Sequence, residues 1–142
     1  MALSHFLVTL VDRMMTWMYE KSGGRLGSRM GKMSMLVLST IGRKSGKKRS
    51  HTLQYMPDGA NYVIVASNNG QDRHPGWYHN LLSNPHVHIQ VGRRQQDALA
   101  TVAGPEEYAR LWPQLIAHNP PWGAYAGRTI RKIPVVILQP QT

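Results

Sequence analysis

Hydrophobic residues enter the chain at helical spacing. Leu3, Phe6, Leu7, Leu10, Met14, Trp17 and Met18 recur every three or four positions, which places them on one stripe and predicts an amphipathic helix over 3–20. Ser22-Gly23-Gly24 ends it. The pattern then changes to that of strands. Residues 34–40 form an apolar, β-prone run, and 49–56 read as its hairpin partner. Pro57-Asp58-Gly59 supplies turn chemistry before Asn61-Tyr62-Val63-Ile64-Val65-Ala66-Ser67, whose β-branched residues predict a further strand. Residues 68–73 read as a loop.

His74 and Pro75 open a short helix running to Leu82, which Asn84-Pro85 must stop. Two more strands, 86–91 and 96–102, are joined by Gly92-Arg93-Arg94. Gly104-Pro105-Glu106-Glu107 starts another helix, with its acids in the first turn and with Tyr108, Leu111, Trp112, Leu115 and Ile116 on its buried face. Pro113 is expected to break or kink that helix, and 133–138 is the last strand.

The order is helix, three strands, short helix, two strands, helix, strand. Short links within the strand pairs predict mainly antiparallel pairing. About six strands with few helices suit a small or partly open barrel of the α+β class. At 142 residues the chain is read as one domain, 1–142. The stripe of the first helix is expected to cover that domain's own core, with a membrane interface as the alternative.

Charge changes the picture more than composition does. Seventeen Lys and Arg against seven Asp and Glu leave a net charge of +10, which suits an anionic partner without choosing one. Five of the seventeen fall within Arg43-Lys44-Ser45-Gly46-Lys47-Lys48-Arg49, a Gly-bracketed loop directly after the first strand. Cations and a hydroxyl on such a loop suit a phosphate or carboxylate.

Several chemistries are excluded or disfavoured. Gly42 and Gly46 are too close for a Walker loop, and Lys47 is followed by Lys48 rather than by Ser or Thr. No cysteine is present, so disulfides and thiolate chemistry are absent. Paired carboxylates are not evident either, which favours a borrowed cofactor. His86 and His88 share a strand face but lack a third ligand at metal spacing, and no metal is expected. The start of the chain lacks the basic beginning of a secretory signal, and Asp12 and Arg13 interrupt its apolar stretch, so neither export nor a spanning helix is predicted.

A set of blocks then resembles a known family. Trp17-Met18-Tyr19, Gly42-Arg43-Lys44-Ser45-Gly46 with Arg49, Asp58-Gly59 before Val63-Ile64-Val65-Ala66-Ser67, Pro75-Gly76-Trp77-Tyr78-His79-Asn80-Leu81 with Asn84-Pro85, Trp112-Pro113-Gln114-Leu115, and Arg128-Thr129-Ile130 before Ile133-Pro134-Val135-Val136 are similar in order and spacing to the deazaflavin-dependent nitroreductases of actinobacteria. The resemblance implies a split β-barrel, with an N-terminal amphipathic helix and two short helices, that binds coenzyme F420. It further implies hydride transfer from reduced F420 to an electron-poor lipophilic acceptor such as a quinone, enone or nitro compound.

By the same resemblance, Arg43, Lys44, Ser45 and Arg49 hold the cofactor's phosphate. Ser50, His51, Thr52, Leu53 and Gln54 continue the site along the next strand. Val65, Ala66, Ser67 and Asn68 line the ring, together with Gly76, Trp77, Tyr78, His79 and Asn80. Without the resemblance, Trp77 and Tyr78 read first as core aromatics, and the histidines as hydrogen-bonding residues near the surface. Ser67 and Tyr125 are the candidates for hydrogen bonds to the substrate oxygen, with Tyr125 also able to deliver a proton.

Gln54, Asn119, Trp122 and Tyr125 are the candidate substrate contacts. Where the best-known relative is rich in tyrosines, this chain has Gln54 and Asn119, which counts against nitro compounds and leaves quinones. The expected setting is cytoplasmic, at the inner membrane face if helix 3–20 docks there. An FMN-binding split-barrel reductase, or a basic barrel that binds cofactor or nucleic acid without turnover, is the alternative.

Overall fold

The computed structural model describes residues 2–30, 33–67, 73–128 and 132–141. Asn68, most of the 68–73 loop and Thr129-Ile130 lie outside them. In chain order the elements are α1 (Ala2–Ser22), β1 (Arg29–Met30), β2 (Met33–Ile41), β3 (Lys48–Gln54), β4 (Met56–Asp58), β5 (Asn61–Val65), α2 (Gly76–Ser83), β6 (His86–Val91), β7 (Arg94–Val102), α3 (Pro105–His118), α4 (Pro120–Arg128) and β8 (Val135–Pro140).

The strands pair in the order β1-β2-β6-β7-β8-β5-β4, with β3 on the other side of β2. Every pair is antiparallel. β3 and β4 are nearly continuous in the chain, interrupted only at Tyr55, whose N–H donates to the Ser34 carbonyl at 3.0 Å. The segment therefore leaves β2 and joins β5, linking the two edges of a curled sheet. This is a split barrel in the α+β class, as expected.

Strand periodicity sorts the core into two halves. Ile64 and Ala66 on one face, with Val136 and Leu138 of β8, join Leu36, Leu38, Val87 and Ile89 inside the barrel, where Trp77 and Leu81 of α2 also pack. Val63, Val65 and Val135 point the other way, onto Leu111, Leu115 and Trp122 of α3 and α4. β5 and β8 are thus apolar on both faces because helices cover the outside as well. Each fully buried Leu there contributes about 1.5 to 3 kcal/mol.

Several expectations change. Pro57 and Asp58 belong to β4 rather than to a turn. Among the described residues β4 pairs only with β5, and an edge strand tolerates a residue without an N–H. Pro113 does not end α3, which runs unbroken for 14 residues. Leu111 and Leu115 anchor the turns on either side, and Gln114 Nε2 donates to the Arg110 carbonyl at 3.1 Å. A fourth helix, α4, was not anticipated. It begins at Pro120, where a missing N–H costs no helical hydrogen bond. The last ladder begins at Val135, since Pro134 has no N–H to give and its carbonyl instead accepts from Ala66 at 3.0 Å.

The largest correction concerns α1. Its stripe does not cover the core: Leu7, Leu10, Val11, Met14 and Trp17 are 47 to 59% exposed. The opposite face meets β3, with Thr16 Oγ1 2.8 Å from Thr52 Oγ1 and Asp12 Oδ2 3.0 Å from His51 Nδ1. The C-terminal end is held more firmly. Tyr19 is fully buried, donates to the Met35 carbonyl at 2.9 Å and accepts from the Gly92 N–H at 2.8 Å. Burial raises its phenol pKa, so the hydroxyl stays a donor. Gly24, with φ of +86°, lies against Gly92 so closely that a Cβ there would come within 2.4 Å of the Gly92 Cα.

Candidate functional site

The hairpin β2–β3 carries the basic loop. Register runs from Met35 opposite Gln54 to Ile41 opposite Lys48, which leaves residues 42–47 to turn the chain. Gly42 donates to the Lys47 carbonyl and Gly46 to the Gly42 carbonyl, each at 2.8 Å. A Cβ on Gly42 would sit 2.7 Å from Ser45 Oγ, so glycine is what allows the hydroxyl to fold back over the loop, where it accepts from the Lys47 N–H at 3.2 Å.

Asn80 ties this loop to α2. Its Oδ1 accepts from the Arg43 backbone N–H at 3.1 Å, and its Nδ2 donates to Thr40 Oγ1 at 3.1 Å. The clamp is buried, and it brings the start of α2 beside the loop. α2 begins at Gly76 with no side-chain cap. Its first backbone N–H groups therefore add to the positive end of the helix dipole.

Between the two lies a cavity of about 320 Å³ lined by Gly42, Arg43, Lys44, Ser45, Arg49, His51, Gly76, Trp77 and Asn80. Its wall holds three Lys and Arg side chains, one hydroxyl and no carboxylate. Such a donor set fits a phosphate group, and phosphates also suit helix N-termini. Eight of the sequence-predicted cofactor residues meet here: Arg43, Lys44, Ser45, Arg49, His51, Gly76, Trp77 and Asn80. The Asn80 amide serves the loop itself.

A second cavity of about 480 Å³ runs beneath α1 and includes Thr9, Asp12, Arg13, Thr16, Trp17, Glu20, Lys48, Arg49, Ser50 and His51. Arg49 and His51 border both cavities, so the two adjoin. Ser50 Oγ lies 2.8 Å from Ser39 Oγ, and Thr52 is engaged by Thr16. Leu53 packs at the edge of the barrel core, while Val65, Ala66 and Trp77 are buried within the two cores.

Tyr78 and His79 go elsewhere. Tyr78 meets His74 in a tilted ring contact at a centroid distance of 4.7 Å, and the His79 ring lies 5.7 Å from that of His74. Tyr78 and His74 line a separate cavity of about 250 Å³ with Tyr108 and Lys132. Ser67 is buried at the end of β5.

The predicted substrate residues gather at the other end of β3. Asn119 Nδ2 donates to Gln54 Oε1 at 3.0 Å, across 65 positions of sequence. Trp122 is a core residue, 5% exposed, and Tyr125 packs beside it against the cluster that contains Val65. A further cavity of about 600 Å³ is lined by Ser39, Thr40, Ile41 and Lys48 at the loop end of the β2–β3 hairpin, together with His86, His88 and Asp97. There His88 bridges Asp97 and Gln95 at 3.2 Å each. Among the described residues no group of three metal-ligating side chains forms.

Sequence reasoning missed the α1 side of the site. Asp12 and Thr16 meet His51 and Thr52 across 39 and 36 positions, and no local pattern signals such pairs. Gly42 was seen as loop punctuation, although its missing Cβ is what shapes the cavity wall.

Fold and cavity together define a split β-barrel with a cationic pocket formed by a hairpin loop and a helix N-terminus. The family of F420H(2)-dependent quinone reductases matches residues 10–140. The chain belongs to that family. It is 43% identical over 125 residues to an F420H(2)-dependent quinone reductase of Mycobacterium tuberculosis, covering 84% of this chain and 83% of that one. A solved structure of an F420-H2 dependent reductase (FDR-A) superposes with a TM-score of 0.68 at 36% identity, over 74% of this chain and 93% of that one. A second, described as a domain-swapped dimer, reaches 0.72 at 29% identity over 96% and 98%.

Proposed function

We propose that this chain is an F420H2-dependent reductase of quinone-type acceptors. The observation that carries the reading is the pocket wall of Arg43, Lys44, Arg49 and Ser45 beside the uncapped start of α2, with no carboxylate among its lining residues. Arg43, Lys44 and Arg49 would hold the cofactor's phosphate through charge-assisted bonds, and Ser45 Oγ would add one more. Asn80 keeps the loop and α2 in register for that task. When bound, the deazaflavin supplies a hydride to an electron-poor double bond.

The remaining tasks fall to the chain's own residues. Ser67 and the first turn of α2 would orient the ring. Ser67 and Tyr125 donate to the acceptor oxygen as negative charge develops there, and Tyr125 passes it a proton. The Gln54–Asn119 pair, with Trp122 behind it, forms a polar and aromatic wall for a planar acceptor. β5 and β8 contribute to both apolar clusters, so the site is carried by one domain.

The exposed stripe of α1 supports docking on an anionic membrane surface, where lipophilic quinones reside. Leu7, Leu10, Met14 and Trp17 face outward, with Arg13, Lys21 and Arg25 exposed around them. No described helix is long and apolar enough to cross a membrane.

The test is the oxidation of reduced F420 followed optically, with and without a soluble quinone. Quinone-dependent oxidation that falls at least tenfold in Tyr125→Phe, with F420 affinity unchanged, supports the reading. Oxidation no faster with quinone than without it overturns the activity. Tight binding of FMN in place of F420 overturns the cofactor.

A further inference from the structure

We propose that Asp12 and His51 make the anion pocket proton-linked: Asp12 of α1 orients His51 so that an anion held by Arg43, Lys44 and Arg49 binds together with one proton. The inference rests on reading that pocket as the phosphate site.

Asp12 Oδ2 lies 3.0 Å from His51 Nδ1, with the two side chains 35% and 38% exposed. A carboxylate can only accept, so Nδ1 carries its hydrogen and donates to Asp12. The other nitrogen, Nε2, is then the one that meets a ligand. In the neutral ring Nε2 is an acceptor and opposes an anionic oxygen, whereas in the imidazolium it is a donor. Because His51 lines the cavity of the basic loop as well as the trough under α1, an anion in that cavity favours the protonated ring. The proton comes from solvent and adds to Nε2, and no other bond changes.

The charges around the ring come from three directions. α1 presents Asp12, Arg13 and Glu20; β3 presents Lys48 and Arg49; the loop presents Arg43 and Lys44. α2 adds only the uncharged Gly76, Trp77 and Asn80. Asp12 and the cations act on the added proton in opposite senses, and a bound anion acts on the same side as Asp12. Asp12 is therefore a positioning residue that works through His51. Its helix also carries the outward apolar stripe, so the proton link joins the pocket to α1.

F420 affinity measured by fluorescence from about pH 6 to pH 8.5 at constant ionic strength tests this in wild type, His51→Gln and Asp12→Asn. Titration of the ligand itself enters all three curves equally. Wild type should lose affinity with rising pH more steeply than His51→Gln, the excess approaching about tenfold per pH unit for one linked proton. Asp12→Asn keeps an acceptor for Nδ1 but removes the charge, and should move that excess to lower pH.

Calorimetry in buffers of different ionisation heat should show proton uptake by wild type that His51→Gln lacks. Equal pH slopes in wild type and His51→Gln, with both binding F420, overturn the inference. A His51→Gln effect that Asp12→Asn does not shift overturns the part given to Asp12. Failure of wild type to bind F420 at any pH overturns the pocket reading instead.

Discussion

In α3 the apolar stripe faces inward: Leu111 and Leu115 are fully buried, with Tyr108 and Trp112 packed beside them. In α1 a stripe of the same spacing faces outward, and the helix meets the barrel through Asp12, Thr16 and Tyr19. What differs is the surface opposite. α3 lies on the outer face of β5 and β8, where Val63, Val65 and Val135 are apolar. α1 lies on β3, which offers Ser50, His51 and Thr52 and has no fully buried side chain. Helical periodicity identifies which residues share a face, and the partner surface decides whether that face is buried.

The comparison can be broken most sharply in α3. Leu115→Ala should cost about 2 to 5 kcal/mol in urea unfolding, as expected for a fully buried leucine; a loss under 1 kcal/mol would mean α3 is no more embedded than α1. Tyr19→Phe comes next. It removes the donor to Met35 and the acceptor for Gly92 at the buried C-terminal anchor of α1, and should cost about 1 to 3 kcal/mol. If stability is unchanged, α1 is not held at that end.

The clamp on α3 should show itself through pH. Arg110 bridges Asp58, in two bonds of 2.8 and 3.2 Å, and Glu107, in two of 2.9 and 3.2 Å. Hydrogen bonding to Arg110 lowers both carboxyl pKa values. A depressed folded-state pKa stabilises above the unfolded value and is lost as pH falls through the folded one. Wild type should therefore exceed Arg110→Gln in stability at neutral pH, by less than the Tyr19 effect, and the gap should close below about pH 4. A gap that persists in acid would assign the effect to packing of the arginine stem.

The smallest effect on stability belongs to the outward face of α1. Met14→Ser and Trp17→Ser together should shift it by about 0.5 kcal/mol or less, yet should reduce co-sedimentation with phosphatidylglycerol vesicles. Destabilisation like that of Leu115→Ala would show that the stripe is covered in solution.

Much of the fold was legible because strands alternate and helices recur. The β5 run and the α3 face announced themselves, and the barrel followed from short antiparallel links. Pro57 and Pro113 misled, since a proline signals a lost hydrogen bond but not whether the site needs one. The basic loop was legible as an anion grip because its five cations are adjacent in sequence. The Gln54–Asn119 and Asp12–His51 contacts were not, since each depends on closing the barrel before the two residues meet. Trp122 was named as a substrate contact through the family resemblance alone, and its burial depends on α4, which local propensity understated.

The central claim is that the loop from Gly42 to Arg49, with the start of α2, holds the phosphate of F420. Fluorescence titration of F420 and of FMN into wild type, Lys44→Ala and Arg49→Ala tests it most directly. Wild type should bind F420 in preference to FMN, and each substitution should weaken F420 binding by about 1.5 to 3 kcal/mol, the worth of a charge-assisted bond. Undiminished F420 affinity in both variants would contradict the account.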